Sequence, residues 1–393
     1  MTIAEIKRVC FVGAGTMGCY NAITAALAGY EAVLFDASAD SLANAPHTQL
    51  AIGAYLVSSK HCSQANLDAA LQRISVQPDM AKAVANVQLV SESVFERLDV
   101  KRDVHAQLDA VCAPATILTT NSSGLLVSDI ESAVQRGDKF AALHSHLGAP
   151  LIDIVAGPRT SASVVDCLKR YVLSINGHPL VLKREHPGYV LNAMIGHLLG
   201  TAVGLAMNGV ATVHDIDRAW MVHKRAPMGP FGMMDLFGLD VVCDGFQHNR
   251  SASDALGQRA RMADFLQPFV QRTHLGKKTG QGFYTYPNPA FEQHDFLSAE
   301  VDLSVANAAL TASVIHTASM IALKDVVAPE QVNEAWKVGM RLDAGPFDMV
   351  DAMGLPVTLH LLEQVKAMFT VTELDAVVAY LTQRGAPTVG ASL

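Results

Sequence analysis

Short apolar runs alternate with helix-like segments over the first half of the chain. The run Arg8-Val9-Cys10-Phe11-Val12 is bounded by glycine, which is typical of a fully buried parallel strand. Further strands are predicted at residues 32–35, 87–90, 116–118 and 140–143. Because strands that alternate with helices form parallel sheets, this half is predicted to be an α/β Rossmann domain with a doubly wound, mainly parallel sheet.

The alternation of predicted strands and helices ends near residue 185, and the sequence pattern of the remaining residues is mainly that of helices. Residues 190–213 are the most membrane-like stretch, but Asn192, His197, Asn208 and several glycines interrupt it. A bilayer span tolerates such residues poorly, so this stretch predicts a buried helix. No membrane association is expected.

The helical half contains an internal repeat. Ala219-Trp220 recurs as Ala335-Trp336, and Gly229-Pro230-Phe231 recurs as Gly345-Pro346-Phe347, both at a spacing of 116 positions. One shared register without gaps indicates duplication of a helical module. We therefore predict a Rossmann domain over 1–184, a helical module over 185–296 and a second copy over 297–393.

Composition and charge narrow the class of protein. The 393 residues carry 29 basic and 37 acidic side chains, a net charge of −8 with no concentrated basic block, which disfavours a nucleic-acid partner. Six scattered cysteines without a CxxC pair indicate reduced thiols rather than disulfides or a metal site. With no apolar signal core after a basic start, the expected location is the cytoplasm.

A glycine-rich turn follows the first strand and precedes an alanine-rich helix. The turn reads Gly13-Ala14-Gly15-Thr16-Met17-Gly18, the G-x-G-x-x-G pattern that places a pyrophosphate on a helix N-terminus. Asp36 ends the second strand, where a carboxylate accepts hydrogen bonds from both ribose hydroxyls and repels a 2′-phosphate. These residues predict NAD as the cofactor, in preference to NADP.

Several further stretches of the chain match the motifs of one enzyme family in their order and spacing. The matching stretches, in order, are Glu92-Ser93-Val94-Phe95-Glu96 with Lys101, Thr120-Asn121-Ser122-Ser123, His144, Pro187-Gly188-Tyr189-Val190-Leu191-Asn192, Asp215-Ile216-Asp217-Arg218-Ala219, Met228-Gly229-Pro230-Phe231, and Gly276-Lys277-Lys278-Thr279-Gly280-Gln281-Gly282-Phe283-Tyr284. On these stretches the chain resembles the L-3-hydroxyacyl-CoA dehydrogenase family over most of its length. The resemblance implies hydride transfer between NAD and a 3-hydroxyacyl or 3-ketoacyl substrate.

The resemblance also implies roles for individual residues. His144 is the expected general base, Asp153 stands where the family has a glutamate partner, and Ser123 and Asn192 reach the substrate oxygen. Glu96 and Lys101 are expected near the nicotinamide half of the cofactor, and Asn121 is expected to bind the cofactor as well. Chemistry agrees for the base, since oxidation of an alcohol needs a proton acceptor with a pKa near neutrality.

The loop after His144 departs from the family pattern. The family has two aromatics, asparagine and proline there, whereas this chain reads Ser145-His146-Leu147-Gly148-Ala149-Pro150. His146 is open to three interpretations: the true acid/base, a substrate contact or an inert surface residue. Because the sequence of this loop differs from the family pattern, an alternative substrate is a free 3-hydroxy acid or another alcohol that is not a CoA thioester.

Two further alternatives concern activity and assembly. One alternative is that the chain is an NAD-binding protein that has lost its catalytic activity, as in the lambda-crystallin lineage. The retention of His144, Ser123 and Asn192 argues against this alternative. In single-copy relatives the helical domain forms the dimer interface. A second copy in one chain therefore predicts a monomer with an internal pseudo-dimer, with a homodimer as the alternative.

Overall fold

The computed structural model describes residues 5–248, 259–368 and 370–385, and the chain divides into two compact units after Tyr189. The core of the first unit is a sheet of eight strands, of which the central ones are almost fully buried. The strands are β1 (Arg8–Val12), β2 (Glu31–Phe35), β3 (Ile74–Val76), β4 (Leu89–Glu92), β5 (Ile117–Thr120), β6 (Phe140–Ser145), β7 (Leu151–Ala156) and β8 (His178–Leu182).

The spatial order of the strands is β3-β2-β1-β4-β5-β6-β7-β8, and all neighbours are parallel except β6 and β7. The order therefore reverses between β1 and β4, which opens a crevice at the carboxyl ends of the strands where open α/β sheets bind ligands. The expected doubly wound fold is confirmed. The sequence pattern predicted neither β3 nor the antiparallel β7 with its neighbour β8.

Three strands extend further toward the crevice than the apolar pattern predicted, and one of them is β6, which was expected at 140–143 and runs on to Ser145. The expectation of strands at 87–90 and 116–118 was wrong at the ends, since β4 runs on to Glu92 and β5 to Thr120. Their polar ends are buried, with Glu92 and Thr120 both inaccessible to solvent. Apolar runs could not mark these positions, because buried hydrogen bonds replace apolar contacts there.

Helices flank the sheet of the first unit. They are α1 (Thr16–Leu27), α2 (Ala39–Ser58), α3 (Gln64–Leu71), α4 (Met80–Ala83), α5 (Leu98–Val111), α6 (Val127–Ile130) and α7 (Ala162–Ser174). The helix α1 is nearly apolar and lies in the core, with Ala22, Ile23 and Ala25 fully buried. It begins directly at the glycine turn, so its N-terminus is held against the carboxyl end of β1.

The described part of the second unit is helical. Its helices are α8 (Leu191–Met207), α9 (Val213–Lys224), α10 (Pro230–Phe237), α11 (Leu239–His248), α12 (Arg259–Gln271), α13 (Ser304–Leu323), α14 (Pro329–Met340), α15 (Pro346–Met353), α16 (Leu355–Gln364) and α17 (Val371–Gly385). The bounds of α9, α10 and α11 recur 116 positions later as those of α14, α15 and α16. The helix predicted over 190–213 corresponds to α8, which is shorter than predicted because it ends at Met207.

The repeated helices use the same end signals. Arg225 and Arg341 end α9 and α14 in the left-handed conformation, at φ 53° and φ 55°. Gly229 and Gly345 precede a proline at the first position of α10 and α15, where the fixed φ of proline suits a helix start. The equivalent tryptophans Trp220 and Trp336 are both fully buried and pack edge to face, 6.2 Å between ring centroids.

The helix α13 is long and apolar enough to cross a bilayer, but 72% of its apolar window is buried inside the protein. It packs against its repeat counterpart α8 and against α9 and α17. Burial to this extent is typical of a helix in a protein core.

Candidate active site

The glycine turn at residues 13–18 has the backbone that a dinucleotide cradle requires. Gly13 has φ +104°, and a Cβ there would lie 2.5 Å from the carbonyl oxygen of Ser93. A Cβ on Gly18 would lie 1.8 Å from the carbonyl oxygen of Gly13, so α1 packs on the turn only because this position has no side chain. A Cβ on Gly15 would meet nothing within 4 Å. The approach to the N-terminus of α1 is therefore open.

The start of α1 can hold an anion. Gly15 is its N-cap residue without a side-chain cap, and Thr16 and Met17 form the first turn. The N–H groups of a first turn have no partner within the helix, and the helix dipole adds partial positive charge there. With the open space above Gly15, these groups fit the pyrophosphate of a dinucleotide.

Asp36 lies beside this turn, one residue beyond the end of β2. Its Oδ2 accepts a hydrogen bond from the N–H of Ala14 at 2.8 Å, and its Oδ1 accepts one from the N–H of Ser38 at 2.8 Å. These two bonds fix the carboxylate next to the glycine turn. A carboxylate at this position fits the expectation of a cofactor without a 2′-phosphate, while its contact with the ribose stays a prediction.

A buried charge network occupies the end of β4. Glu92 is inaccessible to solvent, and its Oε1 accepts a hydrogen bond from the Lys101 ammonium at 2.7 Å. Its Oε2 accepts one from the Thr120 hydroxyl at 2.7 Å and lies 3.1 Å from Nε2 of His105. Burial alone would raise the pKa of Glu92, but Lys101 and His105 lower it to about 2. Sequence patterns did not single out Glu92; a charge at the end of a buried strand was the available signal.

Glu96 organises the loop after β5. Its Oε1 accepts hydrogen bonds from the Ser122 hydroxyl at 2.5 Å and from the N–H groups of Ser123 and Gly124 at 3.1 and 2.9 Å. Its Oε2 lies 3.3 Å from the Lys101 ammonium. Burial raises the pKa of Glu96, yet Lys101 and these donors keep it below its ordinary value. The carboxylate therefore stays ionised and holds the loop as a rigid edge of the crevice.

Lys101 lies beneath this loop rather than on its surface. The side chain is 1% exposed, and its ammonium contacts Glu92, Glu96 and the carbonyl oxygen of Val94. One ammonium thus holds two carboxylates in place. The ammonium supports Glu96, which is partly exposed, and the expected proximity of Lys101 to the cofactor stays a prediction.

Asn121 and Ser123 occupy the ends of the same loop. The Asn121 Oδ1 accepts hydrogen bonds from the N–H and the hydroxyl of Ser145, at 2.9 and 3.0 Å, and so connects the ends of β5 and β6. Ser123 lies in the turn that Glu96 holds. It does not cap the next helix, because α6 begins after Leu126.

His144 lies near the carboxyl end of β6, and Asp153 is its antiparallel cross-strand partner on β7. Nδ1 of His144 lies 2.9 Å from Oδ2 of Asp153, and Nε2 of His146 lies 2.9 Å from the same oxygen. Both side chains of the His144 and Asp153 pair are buried, and Tyr189 packs against the His144 ring at 5.2 Å. Sequence reasoning anticipated the His144 and Asp153 pair but not the attachment of His146 to the same carboxylate.

The protonation states of this group follow from its surroundings. Burial alone would raise the pKa of Asp153, but the imidazoles of His146 and His144 lower it to about 2. An ionised carboxylate only accepts hydrogen bonds, so Nδ1 of His144 carries the hydrogen and Nε2 keeps its lone pair. Burial lowers the pKa of His144, and the nearby His146 lowers it further. A neutral imidazole with a free Nε2 lone pair is the form that accepts a proton.

The remaining predicted residue, Asn192, belongs to the second unit. It is the second residue of α8 and is partly buried. The structure brings together His144, Asp153, Asn121 and the Glu96 loop within the first unit. The role of Asn192 stays a prediction.

Two models of one protein family match the two units of this chain. Residues 8–185 match the family model described as the 3-hydroxyacyl-CoA dehydrogenase NAD binding domain. Residues 188–286 and again 305–386 match the model described as the 3-hydroxyacyl-CoA dehydrogenase C-terminal domain. The two matched segments of the second model lie in the second unit.

Similar proteins include the mitochondrial hydroxyacyl-coenzyme A dehydrogenase of Homo sapiens, which is 33% identical over 72% of this chain and 91% of its own length. The 3-hydroxybutyryl-CoA dehydrogenase of Bradyrhizobium diazoefficiens is 31% identical over 72% of this chain and 96% of its own. A solved 3-hydroxybutyryl-CoA dehydrogenase from Escherichia coli K12 superposes with a TM-score of 0.79 over 97% of this chain and 98% of its own, at 23% identity, a likeness of fold. The chain thus belongs to the 3-hydroxyacyl-CoA dehydrogenase family and is an NAD-dependent oxidoreductase.

Proposed function

We propose that this protein interconverts a 3-hydroxyacyl-CoA and the corresponding 3-ketoacyl-CoA. The proposal depends on the pair of His144 and Asp153, in which Nδ1 of the imidazole lies 2.9 Å from Oδ2 of the carboxylate. His144 lies near the carboxyl end of β6, in the same sheet as β1, which leads into the glycine turn. When bound, NAD supplies the hydride acceptor for the alcohol carbon. The chain's own residues must then bind the alcohol and take its proton.

His144 acts as the general base. In the oxidation direction its Nε2 accepts the hydroxyl proton while the carbon loses a hydride, which leaves a ketone, NADH and an imidazolium. Asp153 remains ionised and stabilises that imidazolium through Nδ1. In the reverse direction the same imidazolium returns the proton to the carbonyl oxygen. A group with a pKa near the working pH serves both directions.

The cofactor is held by residues from several strands. Gly13, Gly15, Thr16, Met17 and Gly18 form the pyrophosphate cradle at the start of α1. Asp36 accepts the hydrogen bonds of the ribose hydroxyls. Asn121 and Glu96 line the nicotinamide end, and Lys101 positions Glu96 from beneath.

Two hydrogen-bond donors complete the substrate site in this proposal. The hydroxyl of Ser123, on the loop that Glu96 fixes, orients the substrate oxygen toward His144, and the family resemblance implies the same role for the amide of Asn192. Donors aimed at an oxygen that gains negative charge in the transition state stabilise it. Both residues therefore serve orientation rather than proton transfer.

A free 3-hydroxy acid or another alcohol outside the CoA thioesters is the second candidate substrate. The observation that favours it is the short turn after β6, where His146 contacts Asp153. A solved diketoreductase, 31% identical over 72% of this chain and 100% of its own with a TM-score of 0.65, is described as acting on dicarbonyl compounds. The test is to measure kcat/KM for acetoacetyl-CoA with NADH beside free acetoacetate and other free 3-keto acids. Preference for the free acids would favour the second candidate.

We further infer a monomer in which the two helical modules form an internal pseudo-dimer. The contact between the equivalent residues Trp220 and Trp336 supports it, since equivalent residues meet near a two-fold axis. A homodimer would show twice the chain mass in sedimentation. The six unpaired cysteine thiols support a cytoplasmic location.

A further inference from the structure

His144, His146 and Asp153 place three metal-ligand atoms at one point. His144 lies in β6 and His146 is the first residue after that strand, and both rings contact Oδ2 of Asp153 on β7. Nδ1 of His144, Nε2 of His146 and Oδ2 of Asp153 all lie within 4.8 Å of one another. The two imidazoles contact each other edge to face at 4.5 Å.

Within the part of the chain that the structure describes, neither a lysine nor an arginine pairs with Asp153, whose ion-pair partners are the two imidazoles. Asp153 is inaccessible to solvent, and among the described residues its Oδ1 has no hydrogen-bond partner. Lys101, the buried ammonium at this edge of the sheet, is already shared by Glu92 and Glu96. A buried carboxylate with one oxygen unused is costly, and a metal cation offsets that cost.

We propose that His144, His146 and Asp153 form a binding site for a divalent transition-metal ion of the Zn²⁺ and Co²⁺ type. Two imidazoles and one carboxylate suit such ions better than Mg²⁺ or Ca²⁺, and three protein ligands leave one position for water. Metal–ligand bonds of about 2.0–2.2 Å place the ligand atoms of a tetrahedral site farther than 2.9 Å from one another. The two imidazole rings therefore move outward slightly when the ion binds.

The ion inhibits the proposed dehydrogenase through the tautomer of His144. To ligate through Nδ1, the imidazole of His144 transfers its hydrogen from Nδ1 to Nε2, and the imidazole of His146, whose Nε2 also faces Asp153, carries its hydrogen on Nδ1 instead. Nε2 of His144 then carries a hydrogen and has no lone pair for the substrate hydroxyl. This consequence rests on the proposed function, whereas binding of the ion does not.

The test is a titration of the full-length, chelator-treated protein with Co²⁺, followed by its d–d absorption and by calorimetry. We expect one ion per chain with the intense visible bands of a tetrahedral site. His146→Phe and Asp153→Asn should each weaken binding by at least ~10-fold, since loss of even a supporting residue costs that much. His47→Phe, at an exposed position of α2, is the matched control and should bind as the wild type does.

Affinity unchanged in the folded His146→Phe protein would overturn the proposal, as would the absence of a one-to-one complex. Zn²⁺ should also inhibit turnover of the wild type, with recovery on addition of a chelator. If no substrate is turned over but Co²⁺ still binds in a manner that depends on His146, the proposed function fails and the metal site stands.

Discussion

His144 and Asp153 face each other across an antiparallel strand pair, and their side chains are joined at 2.9 Å in a buried site. The register of β6 and β7 therefore sets the geometry of the proposed base, not the loop between the strands. The altered loop after His144 is compatible with this pairing, because the cross-strand positions are fixed by the sheet. The shorter side chain of aspartate suffices at this distance.

The first prediction concerns the charge of Asp153. Asp153→Asn should lower kcat by ~10- to 100-fold or more, because the imidazolium formed at His144 loses its counter-charge. Asp153→Glu keeps the charge and should retain more activity than the asparagine variant. Steady-state kinetics with NADH titrated separately gives both kcat and the KM for the cofactor. A larger effect on the NADH KM than on kcat would contradict this role.

The second prediction concerns cofactor choice. Asp36→Asn should reduce the preference for NAD over NADP on the order of 10- to 100-fold, since hydrogen bonds to a charged group contribute about 1.5–3 kcal/mol. The measurement is the ratio of kcat/KM for the two cofactors. Because Asp36 also accepts hydrogen bonds from Ala14 and Ser38, the thermal midpoint of the variant serves as the control for folding. An unchanged ratio would remove Asp36 from cofactor selection.

The third prediction concerns the buried ammonium of Lys101. Lys101→Met should destabilise the protein by about 3–5 kcal/mol, because it leaves Glu92 and Glu96 without their cation. Urea unfolding followed by circular dichroism measures the change. Lys82→Met removes an exposed pair with Asp79 and should change the unfolding free energy little. Equal effects of the two substitutions would show that the network at Glu92 does not stabilise the fold.

The fourth prediction uses the internal repeat. Burial raises the pKa of Asp217 to about 7, and its carboxylate accepts hydrogen bonds from the N–H groups of Phe231 and Gly232. The equivalent residue of the second copy is Asn333, which accepts the same bond from Phe347 without a charge. The repeat therefore provides an uncharged version of the same cap.

Because the folded pKa of Asp217 lies above the unfolded value of ~3.9, its contribution to stability is complete below pH ~4 and is lost as pH rises through about 7. The loss amounts to at most about 1.4 kcal/mol per pH unit. Asp217→Asn should remove this dependence of the unfolding free energy on pH. The unfolding free energy of the variant minus that of the wild type should therefore increase from pH 5 to pH 7. Asn333→Asp should introduce a similar dependence. If the unfolding free energy changed with pH in the same way in the wild type and in both variants, the raised pKa of Asp217 would be contradicted.

Sequence patterns predicted the parallel sheet, the glycine turn and the helical repeat, because each depends on local periodicity or on glycine at fixed spacing. The polar ends of β4 and β5 were missed, since Glu92 and Thr120 are buried by hydrogen bonds and not by apolar contacts. His146 was left with three interpretations. Its contact with Asp153 depends on how two strands meet across a turn, which no local pattern contains.

The central claim is that His144 is the proton acceptor of an NAD-dependent dehydrogenase. The most direct measurement is turnover of acetoacetyl-CoA and free 3-keto acids with NADH by His144→Gln, with NADH affinity measured by fluorescence. The account predicts that kcat falls by ~100-fold or more while NADH binds as in the wild type. Unchanged turnover in a folded protein that still binds NADH would contradict it.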